Sequence, residues 1–248
     1  MRIVTNEKLI KRNARIGQIA SFAGLVILLG GVVISFRYPT TQIGLSMGAL
    51  LFGFALSQFG IYYGNRYARP PRADVVLSQA LKGLDKKYTL YHYTAPISHL
   101  LIGPGGFWAI LPRHQRGKIS YENGRWKQRG GLGLTYMKFF AQEGLGRPDL
   151  EAGADLETLK RYLKKEFPEM AFPEPYPVLV FLNPQAELLD VDNAPVPALT
   201  VKKLKDHVKK QAKEKQNRLN DTQLRALQVA IEGLVEGETV EEAEGEEA

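Results

Sequence analysis

Hydrophobic and polar positions fall into distinct regimes along this chain. From Ile16 to Phe36 and again from Ile43 to Tyr63, about 21 residues in each run carry no charge, where a bilayer-spanning helix needs roughly 20. Between the runs, Arg37, Tyr38, Pro39, Thr40, Thr41 and Gln42 include a helix-breaking proline and leave room only for a tight reversal. The pattern predicts a transmembrane helical hairpin. Gly44 and Gly48, set against Ala20 and Gly24, are expected to let its helices approach closely.

After Tyr63 the runs shorten and alternate. Asp74 to Leu84 carries an apolar stripe at Val76, Leu77, Ala80, Leu81 and Leu84, the 3.6-residue period of an amphipathic helix. Tyr88–Tyr93, His99–Ile102 and Phe107–Leu111 read as strands, the last two split by a Gly-Pro-Gly-Gly turn. Lys118–Glu122 and Gly124–Gln128 flank an Asn-Gly signal and predict a hairpin, completing a meander. Pro112 marks its strand as an edge. Gly130 to Gly133 reads as a flexible connection; a phosphate loop would need a preceding strand and a helix opening on it, and only Gly133 is followed by a plausible helix.

Asp149–Phe167 is helical in pattern, with acids at its start and bases near its end, and Pro168 stops it. Val178–Leu182 resembles a strand buried on both faces. Pro197–Thr200 would add a last strand. Helices over Val201 to about Gln216 and Thr222–Leu234 follow, the second capped by Asn220 or Asp221.

Charge fixes orientation. Arg2, Lys8, Lys11, Arg12 and Arg15 precede the first span, Arg66, Arg69 and Arg72 follow the second, and Arg37 alone lies between. The positive-inside bias places both ends in the cytoplasm. A cleaved signal peptide fits less well, because the apolar run is long and no small-residue cleavage site follows it. The absence of cysteine excludes disulfides and thiolate metal sites.

The net charge is +7, yet residues 232–248 hold eight glutamates and no basic residue, which leaves +15 on the rest. Two basic clusters stand out: Arg113, Arg116, Lys118, Arg125, Lys127 and Arg129, and the run from Lys202 to Arg218. The first interleaves with Tyr121 and Trp126, the mixture of cations and stacking rings used by nucleic-acid binders. Near an inner leaflet the same cations would meet anionic lipid headgroups, and as a plain surface they would be a solvated hairpin over a core tryptophan. The second cluster, with only Val201, Leu204 and Val208 as an apolar stripe, reads as a solvated helix held by one edge. The glutamate-rich tail is expected to be disordered.

The stretch ISHLLIGPGGFWAILPRHQRGKISYENGRW resembles the nuclease-related (NERD) domain of the restriction-endonuclease-like superfamily. Ile97, His99, the Gly103-Pro104-Gly105 turn, Ile110, Gly117, Ile119 and Trp126 fall in register with the family pattern. The resemblance implies an α/β domain with a mixed sheet over about Arg72–Gln216. It also implies a metal-dependent nuclease site whose aspartate, glutamate and lysine would stand at Ser98, Leu111 and Arg113. Serine and leucine there cannot hold a hard divalent cation, and arginine remains protonated. Asp74 lies near the family's first-helix glutamate, and one carboxylate makes a poor magnesium site. His92, His99 and His114 fit no zinc-ligand spacing and read as packed or surface histidines.

These readings give a basic cytoplasmic segment over 1–15, a membrane hairpin over 16–63 and a linker over 64–73. A NERD-like domain follows over 74–219, then a helix over 220–234 and an acidic tail over 235–248. The expected role is a catalytically inactive nucleic-acid-binding or scaffolding module with no cofactor. The alternatives are a residual magnesium nuclease and a structural protein bound to anionic lipid. Its partners are the bilayer and, in prospect, DNA, RNA or lipid headgroups.

Overall fold

A computed structural model of the chain describes residues 1–38, 40, 42–130, 144–214 and 218–246, the last stretch with side chains to 234. Pro39, Gly131–Gly133 and Lys215 of the sequence reading lie outside the described residues. The chain forms two compact units, residues 7–72 and residues 1–6 with 73–248.

The first unit is a pair of helices, α1 (Glu7–Arg37) and α2 (Ile43–Tyr63), the second running into a π-helical turn over Gly64–Ala68. Both are long and apolar enough to cross a membrane. Glu7 in the first turn of α1 pairs with Arg72 at 3.2 Å, so the two ends of the unit lie side by side.

Small residues recur every seven positions on the buried faces: Gly17, Gly24 and Gly31 in α1, Ser46, Gly53 and Gly60 in α2. A Cβ added to Gly24 would stand 2.7 Å from the Ser57 nitrogen, and one on Gly53 2.9 Å from the Gly24 oxygen. Gly31 faces Ala49 and Leu50 while Gly17 faces Tyr63, so the helices run antiparallel. Ala20 and Gly24 face the partner as expected, but Gly44 and Gly48 have nothing within 4 Å of an added Cβ. They flank Ser46 by two positions, about 200° around the helix, which turns them away from α1.

The second unit is a mixed α/β domain. Its main sheet has the order β1-β2-β3-β4-β7-β9. The strands are β1 (Arg2–Thr5), β2 (Thr89–His92), β3 (His99–Gly103), β4 (Gly106–Arg113), β7 (Tyr176–Phe181) and β9 (Ala198–Thr200). β2, β3 and β4 are antiparallel neighbours, whereas β1 joins β2 and β7 joins both β4 and β9 in parallel. A small sheet of order β6-β5-β8 holds β5 (Gly117–Glu122), β6 (Arg125–Arg129) and β8 (Ala186–Leu188). The predicted meander is therefore split between two sheets.

Helices cover both faces. On one side α3 (Ala73–Ala80) and α5 (Val201–Gln211) pack Leu77, Leu204 and Val208 onto Leu90, Leu101, Trp108, Ile110, Val178 and Val180. On the other, α4 (Pro148–Glu166) and α6 (Asp221–Glu246) bring Leu159, Leu163, Leu227 and Ile231 onto Tyr91, Leu100, Ile102, Phe107 and Ala109. Alternate residues of β4 thus enter opposite cores, as the two-residue period of a strand requires. Each fully buried leucine contributes about 1.5–3 kcal/mol of transfer free energy.

Several boundaries move. The amphipathic helix stops at Ala80 and continues as turns to Gly83, whose φ of 86° ends it. α5 ends at Gln211, and α6 continues to Glu246 where sequence predicts a disordered tail, glutamate and alanine being strong helix formers. Its cap is reciprocal: the Gln223 amide donates to Asn220 Oδ1 at 2.8 Å and the Asn220 amide to Gln223 Oε1 at 2.9 Å, a capping box. β4 is interior, so Pro112 does not mark an edge. The Leu182 amide donates to the Arg113 carbonyl, so alternation points residue 112 toward the β3 side, past the last β3 pair Leu100↔Ala109, where no N–H is needed.

Strand β1 has no counterpart in the sequence reading, which left residues 1–15 as a basic leader. Arg2 pairs with Thr89 and Thr5 with His92. The amino group of Met1 donates to the Leu84 carbonyl at 3.2 Å, and Arg2 is ion-paired with Glu232 of α6, which also accepts from the Tyr91 hydroxyl at 3.0 Å.

Candidate functional site

Ser98 directly precedes β3, and Leu111 and Arg113 lie near the end of β4. The β3–β4 ladder ends at Leu100↔Ala109, before it reaches either Ser98 or Leu111, and Leu111 pairs instead with Leu179 of β7.

Their environment is that of a core. Leu111 is 5% exposed and clusters with Ile119, Trp126, Ala152, Leu179 and Phe181. Arg113 extends from the strand end to donate from Nη2 to Glu151 Oε2 at 2.8 Å, joining β4 to the first turn of α4. Ser98 is half-buried, and its carbonyl accepts the Tyr93 amide at 2.8 Å. Asp74 is buried in the first turn of α3, where an acid complements the helix dipole. Among the described residues, no three His, Cys, Asp or Glu side chains come together to hold a metal ion.

Four residues beyond Asp74, on the same side of α3, Ser78 Oγ lies 3.0 Å from His92 Nε2, and His92 Nδ1 lies 2.8 Å from His99 Nδ1. Both histidines are buried, and Tyr93 sits edge-on to His99 with ring centroids 4.9 Å apart. Sequence spacing did not show this line, because it depends on the His92↔His99 register of two antiparallel strands. His114 is half-exposed and distant in register.

The hairpin forms as its Asn-Gly signal requires, with Asn123 and Gly124 at φ 53° and 72°. Pairing places Lys118, Ser120, Glu122, Arg125, Lys127 and Arg129 on one face and Ile119, Tyr121, Trp126 and Gln128 on the other. Trp126 is 9% exposed and meets Tyr121 edge-on at 5.3 Å, so the ring that alternates with the cations in sequence faces the core. On the polar face Glu122 takes the Lys127 ammonium at 2.8 Å, the Ser120 hydroxyl at 2.7 Å and Arg129 at 3.2 Å. The lysine bond first, then the serine bond, hold the Glu122 carboxyl below its ordinary value. Lys118 lies beside Glu187 of β8, and the Arg116 carbonyl accepts from Gln128. Three of the six cations, Arg113, Lys127 and Arg129, thus have an acidic partner, and Lys118 stands beside one.

Helix α5 is different. Leu204 and Val208 are fully buried, and the Trp108 indole donates to Gln211 Oε1 at 2.7 Å. Gly105 in the β3–β4 turn lets the chain past α5 come close: an added Cβ would stand 2.7 Å from Ala212 Cα. Lys202, Lys203, Lys209, Lys210 and Lys213 are exposed, and among the described residues none of them is in an ion pair.

Compared with known proteins, the chain matches no family model, no curated protein and no solved structure.

Proposed function

We propose that this chain is a membrane-anchored binding module. Its α/β domain, of NERD-like and restriction-endonuclease-like type, faces the cytoplasm, has lost metal-dependent nuclease chemistry and holds nucleic acid. The observation that carries the loss is Leu111, packed among Ile119, Leu179 and Phe181 where a metal-binding carboxylate would stand, with Arg113 committed to Glu151. A hard cation needs several oxygen ligands, and a leucine core supplies none.

The nuclease-like assignment draws support from element order. One helix is followed by an antiparallel β2-β3-β4 unit, then a helix, then strands β7 and β9 added in parallel. Membrane anchoring draws support from α1 and α2, whose outward side chains such as Phe22, Val33, Phe36, Leu51 and Phe52 are exposed apolar groups that water would penalise. A shared side for both termini draws support from the parallel pairing of β1 with β2, strands that flank the hairpin in sequence. The basic residues before and after the spans make that side the cytoplasm.

The test is a nuclease assay on the full chain in neutral-lipid nanodiscs, with labelled DNA and RNA and added magnesium. Intact substrate is expected with the natural chain and with Asp74→Ala. Magnesium-dependent cutting that Asp74→Ala abolishes would establish the residual nuclease instead.

A further inference from the structure

We infer that the exposed lysine face of α5 is the surface that holds nucleic acid, through its phosphates and without reading base sequence. This rests on the binding-module reading above and names the face responsible.

At 100° per residue, Lys202, Lys203, Lys205, Lys209 and Lys210 occupy about 160° of the helix circumference, with Asp206 the one acid among them, and Lys213 follows in the turn past the helix. From Lys202 to Lys209 the row extends about 10 Å. The edge bearing Leu204 and Val208 is fixed in the core, and Lys205 Nζ donates to the Lys82 carbonyl at 2.7 Å, which brings exposed Lys82 to the same flank. The cations therefore stand on a rigid support.

Electrostatics within the protein disfavours this arrangement. Lys202 and Lys203 sit in the first turn, at the positive end of the helix dipole, and that turn holds no acid. Lys205 and Lys209 are like-charge neighbours four residues apart, a spacing that destabilises helices. Neighbouring lysines of the row lie within about one Debye length of each other at physiological salt. An external polyanion relieves the repulsion and releases its own counterions. The hairpin face, by contrast, already carries Glu122 against Lys127 and Arg129.

Two features favour nucleic acid over a lipid surface. A helix that binds at a membrane interface buries an apolar face among the acyl chains, and the apolar edge of α5 is taken up by the protein core. The lysines also spread around a convex arc, of which a flat bilayer meets only the crest, whereas successive phosphates of a strand can follow it. No Phe, Tyr or Trp lies on α5 to stack on bases, and its one imidazole, His207, is half-buried, which leaves phosphate contacts and no sequence preference.

The experiment measures binding of the full chain in neutral-lipid nanodiscs to short labelled DNA duplexes of two unrelated sequences across a salt series. The variants are Lys202→Gln/Lys203→Gln/Lys209→Gln/Lys210→Gln and, as comparison, Lys118→Gln/Arg125→Gln. All altered side chains are exposed, and circular dichroism with thermal melting confirms that each variant is folded. The natural chain is expected to bind both duplexes equally. The α5 variant is expected to bind at least about 100-fold more weakly near 0.1 M salt, with a log K against log salt slope shallower by roughly 3–4. The hairpin variant should lose little.

Undiminished binding by the folded α5 variant, or loss confined to the hairpin variant, overturns the assignment to α5 and leaves nucleic-acid binding standing. If the natural chain binds neither duplex, whether or not it binds vesicles rich in phosphatidylserine, both readings fall.

Discussion

Arg113 Nη2 donates to Glu151 Oε2 at 2.8 Å, tying the end of β4 to the first turn of α4. The guanidinium side chain is 15% exposed and the carboxylate 57%, so water screens the pair from one side and its worth is about 1 kcal/mol or less. Glu151→Ala should lower the denaturant midpoint only slightly. Leu111→Glu, which introduces the carboxylate that the NERD pattern carries at the matching place, should cost about 3 kcal/mol or more by burying an unpaired acid in the core. Chemical denaturation of both variants checks this. Near-neutral Leu111→Glu, with stabilisation by magnesium, would mean that position lines an open cation site.

The helix pair is held by glycines at Gly24 and Gly53, not by Gly44 and Gly48. The natural chain has no cysteine, so Gly31→Cys/Ala49→Cys, with a Cβ on residue 31 standing 3.1 Å from that of residue 49, should form a disulfide on oxidation in an otherwise unreactive background. Gly24→Leu should prevent that crosslink, while Gly44→Leu and Gly48→Leu should leave it intact. Crosslinking yield on denaturing gels decides.

Strand β1 makes the first five residues part of the domain. Deleting residues 2–5 removes the ladder with β2 and the Arg2–Glu232 pair, and amides of β2 should then exchange with deuterium faster by about tenfold or more, the effect of roughly 1.4 kcal/mol in local opening. Arg2→Ala alone should give a smaller change, because Arg2 and Glu232 are partly exposed. Hydrogen exchange with mass spectrometry reads both.

His207 lies on α5. Burial lowers its pKa from the ordinary value of 6.5, aided by the nearby Lys210 and opposed by Glu214 and Gln211. A depressed histidine pKa means that the folded state prefers the neutral ring. That contribution is intact above about pH 6.5 and is lost as pH falls through the folded-state value. Melting temperature should therefore drop between neutral pH and pH about 5, and His207→Gln should make the drop smaller. An unchanged pH profile in the variant would exclude this residue as a source of the acid sensitivity.

Local chemistry made much of this fold legible in sequence. Asn123-Gly124 specifies its own turn, Asn220 and Gln223 their own cap, and the Val178–Leu182 run announces a strand covered on both faces. Nonlocal relations were not legible. Four residues at Arg2–Thr5 show no period of their own, and β1 exists because Thr89–His92, more than 80 residues later, offers it an edge. Pro112 suggested an edge strand, yet an interior strand tolerates it where its neighbour has ended. Trp126 and the hairpin cations alternate in sequence, and that same alternation puts them on opposite faces.

At the candidate site, the absence of acids at Ser98 and Leu111 was readable directly. The Ser78–His92–His99 line required the strand register, and the imbalance of charge on α5 required knowing which cations elsewhere already have acidic partners.

Titration of the full chain with manganese, followed by calorimetry, tests most directly whether the cation site has been lost. Heats no different from dilution are expected, for the natural chain and for Asp74→Asn alike. A saturable single-site isotherm that disappears with Asp74→Asn would contradict a core closed by Leu111 and restore metal-dependent chemistry to the domain.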